Sequence, residues 1–232
     1  ESIERAADGS LSVRYAVKDA AETVDADAVL VATGRAPAFG GLFAEGFELE
    51  LDRGRIAVDK RMQTSAEGIY AIGDVAAAGA QLAHAASAQG IVAVETIAGA
   101  DVSFDPALVP SCVYSSPEIA SVGMTETEAK QAGIAARAGK FAMTGNGKSV
   151  ITGQGRSFAK IVADESDRII GAQLMCGRAT DMIGELSLAV ANGLTIEQMK
   201  SAIRPHPTFE EAIGEAFEAF AGGAIHAMPK PR

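Results

Sequence analysis

Cysteine is scarce in this chain: among 232 residues only Cys112 and Cys176 carry a thiol. They stand too far apart for a C-x-x-C redox or zinc motif, and each lies in an apolar, strand-like context. Reduced, buried thiols in a cytosolic protein are expected rather than a disulfide, and no metal site is expected. Long apolar runs are missing as well. Hydrophobic residues make up 48% of the chain, enough for one large core or two modest ones, yet no run reaches the roughly 20 residues of a membrane-spanning helix. The chain reads as soluble, with a cytoplasmic location expected. Basic charge is also short: 20 Lys and Arg stand against 30 Asp and Glu, a net charge of −10. With no local basic cluster, a nucleic-acid surface is excluded. Complete phosphate-binding signatures are absent too. Gly145-Asn146-Gly147-Lys148-Ser149 ends like a P-loop, but the required first glycine would fall at Ala142. Gly153-Gln154-Gly155 lacks the third glycine of a dinucleotide fingerprint, so both stretches read as tight loops. There is no initiator Met, and Glu1 falls in what reads as the middle of a sheet, so a fragment is expected.

What is there is organised around Arg204-Pro205-His206-Pro207-Thr208-Phe209-Glu210-Glu211 near the carboxyl end. Pro207 fixes the local backbone, Thr208 can cap a helix running to about Phe220, and Glu211 falls three residues after that cap. Two readings stay open on these residues alone. In one, Thr208 and Glu211 form a capping box and His206 is an ordinary loop residue. In the other, His206 and Glu211 form an acid–base pair. The carboxylate then fixes the imidazole tautomer and raises the imidazole pKa towards that of a thiol, so the pair could take and return a thiol proton.

Upstream, Ser2–Ala6, Ser12–Lys18 and Asp27–Ala32 read as strands, the first two joined at Asp8-Gly9. The third is nearly continuously apolar and runs into Thr33-Gly34, either as a buried strand whose backbone passes close to another element or a ligand or as a simple strand-to-loop exit. Arg55–Val58 is a short strand. A buried strand ending at Ile72-Gly73-Asp74 places one carboxylate at the carboxyl end of a sheet, where it can accept hydrogen bonds from the hydroxyls of a sugar or sugar alcohol. Leu82-Ala83-His84 opens a helix to about Ala98 whose amino-terminal N–H groups suit a carbonyl or anion; a plain Gly-Asp turn followed by an amphipathic helix packing its alanines closely stays open as the alternative. Beyond Asp105 the pattern is α+β. Strands are expected at Val109–Tyr114, Phe141–Thr144, Phe158–Ala163 and Ile169–Met175, with a capping box at Thr125/Glu128. Helices are expected over Ala179–Ala191 and Thr195–Ala202, the latter started by Thr195 and Gln198.

Taken in order, these stretches resemble the carboxyl half of a flavin-dependent pyridine nucleotide-disulfide oxidoreductase. The carriers are Ala32-Thr33-Gly34-Arg35-x-Pro37, Thr64 through Gly73-Asp74, Leu82-Ala83-His84, Pro110 through Gly123, and His206-Pro207-Thr208-x-x-Glu211. Leu82-Ala83-His84 and Pro117-Glu118 are similar to the dihydrolipoamide-oxidising branch more than to glutathione reductases, and His206 disfavours mercuric reductases. Ser116 and Arg204 stand where the family usually has histidines. The resemblance implies an α/β region ending a nucleotide-binding domain, followed by an α+β dimerisation domain with an antiparallel sheet and helices. Its expected boundaries are 1–37 for the end of the NAD-binding domain, 38–106 for the central domain and 107–232 for dimerisation.

It further implies FAD and NAD as cofactors, with Gly34, Asp74, Leu82, Ala83 and His84 as cofactor-binding positions. Asp74 would hold the ribityl chain, and the backbone at Ala83 the pyrimidine end of the flavin. His206 and Glu211 would be the catalytic acid–base pair, acting on the partner subunit of a homodimer, with Glu211 free to keep its capping role. The implied partner is dihydrolipoamide or the lipoyl domain of a 2-oxoacid dehydrogenase or glycine cleavage complex. The family's FAD and NAD fingerprints and its Cys-x-x-x-x-Cys pair are absent from this chain, so it is expected to be inactive alone. A glutathione reductase-like enzyme and a non-catalytic dimerisation module are the alternatives.

Overall fold

The computed structural model describes residues 2–227. The chain divides into two compact units, Glu1–Leu42 and Phe43–Arg232. The first is an antiparallel meander of β1 (Ser2–Arg5), β2 (Leu11–Val17) and β3 (Ala20–Ala26). Gly9, at φ 91°, turns β1 into β2, and the Asp8 carboxylate accepts from the Ser10 N–H at 3.0 Å. Lys18 and Asp19, both at positive φ, form the tight link to β3. That pair lacks the glycine or asparagine of the commonest hairpin turns, and β3 reads as polar loop, so the third strand falls elsewhere than expected. Asp27–Ala32 is not a buried strand: it is irregular, and Leu30 is 90% exposed. Among the described residues no strand pairs with it, so its backbone has no ladder to join.

The second unit opens with the hairpin β4 (Leu51–Asp52) and β5 (Arg55–Ile56). The stretch before Gly73-Asp74 is not a strand either. It makes a single bridge, Gln63 to Tyr70, and Gly73–Val75 is one turn of 3₁₀ helix. A helix, α1 (Ala83–Ile97), follows, and Met62, Ala85, Ala93 and Phe104 form a small core with it.

The main core lies in an antiparallel sheet ordered β6-β7-β10-β9-β8. Its strands are β6 (Ser111–Val113), β7 (Glu118–Gly123), β8 (Ala136–Ala142), β9 (Phe158–Asp164) and β10 (Ile169–Cys176). α4 (Ala179–Ala191) packs on β7 and β10 and α6 (Glu211–Glu218) on β8 and β9, and both close one core over Ala159, Ile161, Ala163, Ala172, Leu174 and Cys176. Between these helices runs α5 (Ile196–Lys200), and α2 (Glu126–Gln131) follows β7; each starts with a complete capping box, at Thr195/Gln198 and Thr125/Glu128. Two strands differ from the sequence pattern. Glu118–Gly123 alternates too weakly to be seen, and β8 is shifted upstream of Phe141–Thr144 because Met143–Gly145 forms a 3₁₀ turn. Neither cysteine is in a disulfide; Cys176 is buried and Cys112 only half-buried. Burial, reinforced by the Glu118 carboxylate, pushes the Cys176 thiol up to about 12, which keeps it protonated and unreactive.

Candidate functional site

His206 and Glu211 meet. Glu211 Oε1 is 2.9 Å from His206 Nδ1, and Glu211 Oε2 accepts the Thr208 N–H at 2.9 Å. One carboxylate thus makes the backward reach of a capping box and orients the imidazole at once. The rest of the expected cap is different. α6 begins at Glu211 after Glu210, two residues later than expected, and the Thr208 hydroxyl donates to the Pro205 carbonyl at 2.7 Å. The hydroxyl is used to close the loop on itself, so it cannot cap the helix.

An anionic Glu211 can only accept, so Nδ1 carries the proton and Nε2 is the basic nitrogen. The His206 side chain is 76% exposed and that of Glu211 29%. Burial alone would push Glu211 up and is the largest single influence. The Thr208 N–H, the His206 hydrogen bond and the fields of His206 and His226 together outweigh it, leaving Glu211 below the usual glutamate range.

This depression gives a stability prediction. The unfolded chain holds the Glu211 proton more tightly, so the stabilisation is complete above the ordinary glutamate pKa and is lost as pH falls through the lower folded value. Thermal melts of the wild type and Glu211→Gln should therefore differ most near neutrality and converge as pH falls below the ordinary glutamate value of about 4.3. A gap that widens on acidification would contradict the assignment.

The loop itself is held from below. Asn146 Nδ2 donates to the Thr208 carbonyl at 2.9 Å, while its Oδ1 accepts the Ser149 N–H at 2.9 Å and so caps α3 (Gly147–Ile151). The false P-loop of the sequence is therefore a short helix whose capping side chain braces the histidine loop. Arg204 is a buried brace, its side chain 9% exposed and paired with Glu185, its guanidinium 5.6 Å from the Phe217 ring centroid. The Ser116–Pro117 and His206–Pro207 peptides are cis.

The other expected residues gather around α1. Gly73, at φ 72°, donates its N–H to the buried Gln89 side chain at 2.7 Å, pinning the Gly73-Asp74 turn against the helix. A Cβ at Gly73 would sit 3.4 Å from Ala86. Leu82 is the N-cap of α1 and its side chain makes no cap hydrogen bond to the first helical N–H groups, among them those of Ala83 and His84. His84 Nε2 lies 2.8 Å from the Pro110 carbonyl, so the ring anchors the helix start to the chain entering β6. Gly34 lies in the other unit; it has φ 128°, and a Cβ there would meet nothing within 4 Å. Gln89 escaped the sequence reading, although a lone amide amid the small and apolar residues of that helix was its visible signal. Among the described residues no cluster of three potential metal ligands occurs, and no helix is long and apolar enough to cross a membrane.

Comparison with known proteins matches residues 109–217 to the pyridine nucleotide-disulphide oxidoreductase dimerisation domain. Residues 1–90 match a second pyridine nucleotide-disulphide oxidoreductase domain. The chain is 43% identical over 205 residues to a dihydrolipoyl dehydrogenase of Haloferax volcanii, covering 88% of this chain and 43% of that protein. It is 46% identical over 206 residues to one of Bacillus subtilis, covering 88% and 43%. Among solved structures, LpdA from Mycobacterium tuberculosis superposes with a TM-score of 0.85 at 26% identity, covering 94% of this chain and 47% of that one. The HOCl-induced flavoprotein disulfide reductase RclA from Escherichia coli gives 0.76 at 25% identity, covering 90% and 48%. The chain thus spans less than half the length of these proteins.

Proposed function

We infer the function from one premise: the chain belongs to the pyridine nucleotide-disulphide oxidoreductase family. We read it as the carboxyl-terminal half of an FAD-dependent dihydrolipoamide dehydrogenase, with residues 1–37 ending the NAD-binding domain, 38–106 central and 107–232 forming the homodimer interface. The observation that carries this reading is the Glu211 carboxylate, shared between the Thr208 N–H and His206 Nδ1, with the imidazole otherwise exposed.

In that role His206 Nε2 accepts the proton of a substrate thiol attacking a redox disulfide of the partner subunit. Glu211 stabilises the resulting imidazolium, and the proton is returned when the disulfide product leaves. FAD, when bound, relays the two electrons to NAD. The residues present fit the part of FAD they would meet. The pinned Gly73 turn presents Asp74 to ribityl hydroxyls, and the N–H groups at Ala83 and His84, without a side-chain cap, suit the electron-rich pyrimidine end. Leu82 sets the helix start, and Gly34 leaves room for close passage of the cofactor. Dihydrolipoamide, free or on the lipoyl domain of a 2-oxoacid dehydrogenase or glycine cleavage complex, is the proposed substrate, in the cytoplasm.

The test is made on the full-length protein, comparing dihydrolipoamide plus NAD with glutathione disulfide plus NADPH. Preference for the first pair is expected. Preference for the second would overturn the substrate and leave the acid–base pair standing.

A further inference from the structure

One turn beyond Glu211 on α6, a second glutamate holds a second histidine. Glu215 Oε1 is 2.7 Å from His226 Nδ1, and Glu215 Oε2 accepts the His226 N–H at 3.2 Å. The Glu215 side chain is 15% exposed, so this bidentate hold draws the tail after Gly222 back onto the helix. Two physical routes join the tail to the His206 loop. Along the helix, Glu215 and Glu211 lie on the same face, and the His226 charge already acts on Glu211. Through the packing, the His226 carbonyl closes so tightly over Gly145 that a Cβ there would overlap it. The next residue, Asn146, holds the Thr208 carbonyl.

We propose that His226–Glu215 is a positioning pair for His206–Glu211: it anchors the tail over Gly145 and sets the charge one helical turn from the Glu211 carboxylate. The proposal deepens the proposed function, since its use is to tune a working acid–base pair. Around it, Lys140 from β8 lines the same cleft as His226. Glu211, Glu218, Lys200 and Arg204 line the cleft that Glu215 shares, with Lys200 paired to Glu218 and Arg204 to Glu185. Among the described residues the cation paired with Glu215 is His226, so removing either partner leaves the charge of the other unmasked beside Glu211.

The experiment follows the imidazole signal of His206 in the full-length protein, with histidine labelled with carbon-13 and the resonance assigned by His206→Gln. His226→Gln exposes the Glu215 charge and should raise the His206 titration midpoint. Glu215→Gln removes that negative charge and should lower it. Each shift is expected to be about half a pH unit at low salt and smaller at high salt. Opposite signs are the decisive feature, because mere loosening of the tail would move both variants the same way. Same-sign shifts, or none, would overturn the proposal. His226 is exposed, so His226→Gln is expected to fold; if Glu215→Gln does not, His226→Lys, which keeps a positive charge but loses the imidazole, takes its place, and a midpoint shift as large as that of His226→Gln would overturn the proposal. Dithiol turnover is measured alongside on the wild type. Its absence would sink the proposed function, whereas the midpoints report on the positioning pair independently.

Discussion

His206→Gln in the full-length protein should lower kcat/KM for dihydrolipoamide by about 10²- to 10⁴-fold, the range expected when a positioned proton acceptor is removed. The side chain is 76% exposed and it pairs with Glu211 Oε1, to which a glutamine amide can also donate. Folding should therefore be untouched, and thermal melts of the variant should overlay those of the wild type. The Thr208 N–H keeps its carboxylate partner in the variant. The loss is then chemical, and it should appear in the step that consumes the dithiol rather than in reoxidation by NAD. Undiminished turnover would return both residues to a purely structural role, with Glu211 holding the Thr208 backbone and His206 an exposed loop residue.

That dual role explains why the site was legible in the sequence when much of the fold around it was not. Spacing alone brings His206 and Glu211 together, because a residue before a helix and one in its first turn are within reach whatever the rest of the chain does. The capping boxes at Thr125 and Thr195 were readable for the same reason, each being satisfied within four residues. Long-range pairings left no such mark. Asn146 meets Thr208 across 62 residues, and Gln89 meets Gly73 across 16. Strands fared unevenly. β9 and β10 announce themselves by the apolar residues they bury, whereas β3, exposed along nearly its whole length, has the composition of a loop. Asp27–Ala32 misled in the opposite direction, since an apolar run marks a buried strand only where a neighbouring strand supplies its hydrogen bonds. Thr208 shows the limit of capping rules: its hydroxyl had two acceptable uses, and the Pro205 carbonyl won.

Gly139→Ala should be among the most destabilising single-methyl changes in the chain, costing about 3 kcal/mol and lowering Tm by about 6–12 °C. Gly139 lies in β8 where α6 crosses the sheet, and a Cβ there would overlap the Ala216 carbonyl and the Phe220 ring. Phe220 can turn aside, but Ala216 is buried mid-helix next to Phe217, which is fully buried against the sheet, so the carbonyl moves only if α6 moves. Glu211 and Glu215 lie on that helix on either side of Gly214, itself close to Arg204. A lifted helix would therefore stretch the Glu211 bonds to Thr208 and His206 as well as the Glu215 bonds to the tail. The destabilised protein should accordingly show a fall in kcat/KM at temperatures where it is still fully folded, a coupling that a methyl added at exposed Gly184, with nothing within 4 Å, should not produce. Equal melts for Gly139→Ala and Gly184→Ala would mean that α6 is not held by the sheet at this contact, and the packing argument for the site's rigidity would fail with it.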